Sequence, residues 1–172
     1  METKTLFKWF WPWEDQKEEI WLREMAQQGW HLAQLAIPGQ YTFVEGLPMD
    51  MVYRLDFINA KEKKDESYWQ LFRDAGWKHV GEMGGWQYFR KLARPGESME
   101  IFSDNHSKIA KYRRVLGYLL FFLLVLLSLV ITSSYPAPST ARMVISVLMG
   151  LLVLVYAYVT IRIMWRINQL KR

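Results

Sequence analysis

Apolar and polar positions divide the chain into two zones with different periods. Up to about residue 92 the pattern switches between alternation, which suits half-buried strands, and helical spacing. Beyond residue 115 it becomes two long uncharged runs, VLGYLLFFLLVLLSLVI at 115–131 and MVISVLMGLLVLVYAYVTI at 143–161. Alternation with aromatic and branched residues marks strands at 4–11 and 51–58. After each comes an acidic helix start, Glu14 and Asp15 or Asp65 and Glu66, placed at the positive end of the helix dipole. The helices are expected to bury Ile20, Trp21 and Met25 in the first case and Tyr68, Trp69 and Phe72 in the second. Gly29 or Gly76 closes each helix. Strands at 30–37 and 77–84 follow, then a turn and a return strand at 40–44 or 86–90.

The two series are one series repeated. Sliding the chain by 47 residues superposes Phe10 on Phe57, Gly29 on Gly76, Trp30 on Trp77, Gln40 on Gln87 and Tyr41 on Tyr88. The order is βαββ twice. It predicts an α+β two-layer sandwich, ferredoxin-like in spirit, with a mostly antiparallel sheet carrying both helices on one face. The expected domains are a cytoplasmic α+β domain at 1–92 (units at about 4–45 and 51–92) and a linker and juxtamembrane helix at 93–114. Then come a first transmembrane helix at 115–134, an extracytoplasmic loop at 135–142, a second transmembrane helix at 143–165 and a cytoplasmic tail at 166–172. Ser103 or Asp104 is the expected N-cap of the helix that leads into the first span.

Each run is about as long as crossing ~30 Å of hydrocarbon requires. Eight cations flank the outer ends of the two runs, whereas Arg142 alone sits in the intervening loop. The positive-inside rule then places both termini in the cytoplasm and the hairpin in the cell membrane. Lys111, Arg113, Arg114, Arg162 and Arg166 are the candidates for lipid headgroup contact.

Charge changes the picture of the soluble part. Residues 1–100 hold 13 Lys/Arg against 16 Asp/Glu, and residues 101–172 hold nine against one. The overall +5 therefore belongs to the membrane-flanking segments. A nucleic-acid groove needs cations clustered on the folded domain, and none is expected here. The absence of cysteine excludes disulfides, thiolate metal sites and cysteine nucleophiles. His31, His79 and His106 lack metal-ligand spacing, and no phosphate loop or nucleophile elbow occurs. No catalytic residue, metal or other cofactor is expected, and the chain does not read as an enzyme.

The remaining chemistry is aromatic. Alternation puts Phe7, Trp9 and Trp11 on one strand face, beside Arg54 and Asp56 of the second unit. These five residues are the candidate binding surface, for a protein partner or a ligand. Pro12 fits the passage from strand to helix. The leading expectation is a membrane-anchored binding module that regulates through protein contacts, with a second copy or another protein as partner. A sensor of an apolar or aromatic small molecule and an accessory subunit of a transporter are the alternatives.

The strings FKWFWPWEDQKEEIWLREMAQQGWHL, YRLDF, FRDAGW and IFSDNHSKIAKYRRV resemble a bacterial family of membrane-anchored proteins catalogued as domain of unknown function 2812. The resemblance covers roughly residues 3–115 and is most specific from Glu19 to Leu32. It implies a regulatory or envelope-stress setting, with a PadR-type regulator or a membrane protein as partner. It implies no catalytic residues.

Overall fold

The computed structural model describes residues 2–102, 105–133 and 140–171. The chain divides into two units, 1–107 and 108–172. In the first, the order is β1 (Thr3–Phe7), α1 (Asp15–Gln27), β2 (Trp30–Ala36), β3 (Gln40–Glu45), β4 (Met51–Phe57), α2 (Ala60–Lys63), α3 (Glu66–Asp74), β5 (Lys78–Met83) and β6 (Trp86–Leu92). The strands form two antiparallel three-stranded sheets, ordered β1-β3-β2 and β4-β6-β5. The α+β class and the tandem βαββ order are as the periodicity implies. The single sheet is in fact two.

The repeat extends to the irregularities. A register shift falls between Leu32 and Gln34 in β2 and between His79 and Gly81 in β5, positions 47 apart. Gly29 and Gly76 close α1 and α3 with φ of 87° and 80°, a region glycine enters without steric cost. The first strands obey a different offset. Leu6 faces Tyr41 and Leu55 faces Tyr88. So β1 corresponds to β4 at 49 residues, and the identity of Phe10 with Phe57 is not a structural equivalence.

The two repeats share their main core, and the second has a smaller cluster of its own. Leu22, Met25 and Ala26 of α1 pack in one cluster with Leu32, Tyr41 and Phe43 of the first sheet and Tyr53, Leu55 and Tyr88 of the second. Phe72 of α3 packs with Val52, Trp77 and Phe89. Val52 and Phe89 alternate with Tyr53 and Tyr88, so α1 and α3 lie on opposite faces of the second sheet, not on one face. An Arg23–Asp50 fork, 2.6 Å at each tine, ties α1 to the start of β4.

Helix α1 buries an unexpected stripe. Ile20 is 58% exposed. The buried positions are Asp15, Glu18, Glu19, Leu22, Met25 and Ala26. Their spacing is that of a single helix face, but its first half is acidic. Each carboxylate burial needs compensation. Glu19 Oε1 accepts from the backbone N of Leu55 at 2.9 Å, and its Oε2 lies 3.4 Å from Arg54. The first of these bonds satisfies a donor on the open edge of β4.

The β5–β6 hairpin turns on Gly84 and Gly85 with φ of 59° and 90°, the two-residue turn in which both positions are left-handed. A Cβ on Gly85 would sit 2.7 Å from Cε2 of the buried Phe57 ring, while one on Gly84 would meet nothing within 4 Å. Gly85→Ala is expected to destabilise the unit by about 2 kcal/mol or more, and Gly84→Ala by only about 1 kcal/mol. Thermal melts of the two variants check this; equal losses would contradict it.

The second unit consists of α4 (Asn105–Ser133) and α5 (Thr140–Leu170). Both are long and apolar enough to cross a membrane. The expected start of α4 near residue 105 is observed. The expected N-cap at Ser103 or Asp104 lies outside the described residues. So does most of the expected loop at 135–142, whose last positions already belong to α5. The expected tail from residue 166 is helical as far as Leu170.

Candidate functional site

The stretch from Lys8 to Glu14 leaves the sheet. The backbone N of Lys8 donates to the Gly39 carbonyl at 2.9 Å, and β1 has ended at Phe7. Residues 11–14 then form a turn, closed by the Glu14 N to Trp11 O bond at 2.8 Å with Pro12 at its second position. The Glu14 carboxylate accepts from the Trp11 N at 3.2 Å and pins the same turn. Trp9 and Trp11 therefore do not share a strand face with Phe7. Trp11 meets Trp9 edge-on at 6.0 Å and stacks on Trp13 at 5.2 Å.

This segment forms one wall of a cavity of about 240 Å³. Trp9, Phe10, Trp11, Tyr41, Trp86 and Tyr88 supply aromatic surface, and Asp15 and Glu18 supply carboxylates. Lys8 also lines it. The β2–β3 turn contributes Ile37, Pro38 and Gly39, and the β5–β6 turn contributes Met83 and Gly84. The cavity thus lies between equivalent hairpin tips of the two repeats. Tyr41 and Tyr88, equivalent at 47 residues, face it from the two sheets.

Glu18 joins them. Tyr41 donates its phenol to Glu18 Oε1 at 2.7 Å, and Tyr88 donates to the same oxygen at 2.6 Å. Burial pushes the Glu18 carboxyl above the ordinary glutamate range; the two phenols oppose this, and the nearby Asp15 charge adds to it. Burial likewise raises both phenols. The second repeat has no such acid: the residue equivalent to Glu18 is Asp65, the N-cap of α3, which accepts from the Ser67 N at 3.0 Å.

Of the five residues expected at a binding surface, the structure brings Trp9 and Trp11 to the cavity. Phe7 is 67% exposed and does not line it. Arg54 and Asp56 are elsewhere. Arg54 Nη2 bonds Glu100 at 2.9 Å in addition to its contact with Glu19. Asp56 is fully buried, accepting from the Tyr68 hydroxyl and the Phe57 N, each at 2.9 Å. Both are structural on this geometry. Sequence reasoning missed Phe10, Glu18, Tyr41, Trp86 and Tyr88.

His31 contacts the Leu47 carbonyl at 2.8 Å, and His79 contacts Gln87 at 2.9 Å. Among the described residues no cluster of side chains is arranged to hold a metal ion. On α4 and α5, Arg113 is exposed, Arg114, Arg162 and Arg166 are partly buried, and Lys111 is buried with its ammonium over Tyr112 at 5.1 Å. Arg162 lies over Trp165 at 5.4 Å.

No curated protein and no solved structure matches the chain. A family model does, over residues 14–124, from the turn before α1 through both repeats and into α4. The chain belongs to the family described as "Protein of unknown function (DUF2812)".

Proposed function

We propose that this chain is a small-molecule-binding module held at the cell membrane by its helical hairpin, with both termini in the cytoplasm. The observation that carries the reading is the cavity: six aromatic side chains and two carboxylates converge on about 240 Å³ between the hairpin tips. A concave, mostly apolar pocket with a few convergent polar groups is the usual form of a ligand site. The orientation rests on the eight flanking cations, and Arg113 is the cation best placed for lipid headgroups. Occupancy would then be read out through protein contacts, with a transcriptional regulator, another membrane protein or a second copy. Phe7 and Trp9, 67% and 55% exposed near the mouth, favour such a contact as the output.

Mild-detergent purification of the full chain, followed by native mass spectrometry, tests the reading. The expected result is a retained molecule of pocket size that is lost from Trp11→Ala and Trp86→Ala. A stoichiometric protein partner retained equally by both variants, with no small molecule, would favour a pure adaptor.

A further inference from the structure

We infer that the ligand of this cavity is an organic cation, an ammonium group on an apolar or aromatic body, and that Glu18 is its counter-ion. The inference rests on the pocket reading above and narrows it to a chemical class.

Three features converge. First, the carboxylate is buried, with Glu18 6% exposed on the cavity wall. Second, its hydrogen bonds are one-sided. Both phenols donate to Oε1, and Oε2 receives no hydrogen bond from the described residues. Among the described residues Glu18 takes part in no salt bridge. A carboxylate has roughly four acceptor positions, so the second oxygen keeps its capacity for a donor or a positive charge. Third, the other walls are the aromatic faces that attract cations. The protein uses this attraction at the same wall: the Lys8 ammonium lies 4.5 Å from the Trp21 ring and 5.2 Å from Phe10. Lys8 is thereby held on rings instead of on Glu18. Asp15, 2% exposed, adds a second acid to the lining.

An anionic ligand would meet two buried acids. A neutral one would leave a charged oxygen desolvated beside it, which is costly. A cation neutralises that charge and gains the ring faces.

The test compares 3-hydroxyphenyltrimethylammonium with its neutral isostere 3-tert-butylphenol on the full chain in detergent, with free concentrations set by dialysis. The cation is expected to bind about tenfold tighter than the isostere. Glu18→Gln keeps an acceptor for the Tyr41 and Tyr88 hydroxyls and is expected to abolish this preference, weakening the cation and strengthening the neutral isostere. Near-UV circular dichroism checks that the variant is folded. Equal affinity for the two probes in the parent protein, or a preference that survives Glu18→Gln, would overturn the cation assignment and leave the pocket standing. No binding of either probe, or binding insensitive to Trp11→Ala and Trp86→Ala, would overturn the pocket itself.

Discussion

Replacing both Tyr41 and Tyr88 by Phe is expected to lower the Tm of the first unit by about 12–20 °C where Glu18 is ionised, and by less as the pH falls and Glu18 takes up a proton. The two phenols donate to one buried carboxylate oxygen. A hydrogen bond to a charged group contributes about 1.5–3 kcal/mol, so the pair supplies roughly 3 kcal/mol once partial relaxation is allowed for. The pH dependence follows from the direction of the Glu18 shift. Its folded pKa is raised, chiefly by burial. Such a group holds its proton more tightly folded than unfolded, so its contribution is favourable at low pH and declines as pH rises through the raised value. Without the phenols the carboxyl rises further, and the decline continues to higher pH. At low pH the acid is neutral, and only two ordinary hydrogen bonds are lost. Melts of the two proteins across pH 5 to 8 check this. A loss that does not change with pH would mean that Glu18 is not charged when buried.

The second large effect concerns Leu22. Its side chain is fully buried where α1 meets both sheets. Truncation to Ala leaves a cavity that cannot close without moving one sheet, and such changes cost about 3–5 kcal/mol. Because the cluster draws on both repeats, the loss is shared. Trp30 in the first repeat and Trp77 in the second are expected to report a single midpoint, before and after the substitution. Single-tryptophan versions of the chain supply the readout. Two separate midpoints would show that the repeats fold as independent domains, against the common core.

Where the chain is regular, the sequence was enough. Alternation located all six strands to within a few residues of their ends, apolar runs located α4 and α5, and the 47-residue period located the repeat. The failures share one cause. Helix α1 turns Glu18 and Glu19 inward and Ile20 outward, the reverse of what hydrophobicity alone dictates. The groups that make this tolerable, Tyr41, Leu55 and Tyr88, are 23, 36 and 70 residues from their acids. No local pattern contains them. The one local signal was the three-and-four spacing that places Asp15, Glu18 and Glu19 in line with Leu22, Met25 and Ala26. The aromatic density at Trp9 and Trp11 pointed to the right segment but the wrong element, since β1 ends at Phe7 and the turn at Pro12 redirects both rings. Arg54 and Asp56 were drawn in by alternation alone, and long-range partners give each a structural task.

The central claim is that the cavity between the hairpin tips binds a small molecule. The most direct measurement is fluorine NMR of the full chain labelled with 5-fluorotryptophan, titrated with 3-hydroxyphenyltrimethylammonium. Nine tryptophans give nine resonances, each assignable by a Trp→Phe change. The account predicts saturable shifts of Trp11 and Trp86 at the cavity, with Trp30, Trp69 and Trp77 unmoved. No saturable shift with either this cation or 3-tert-butylphenol, or shifts confined to Trp165 on α5, would contradict it.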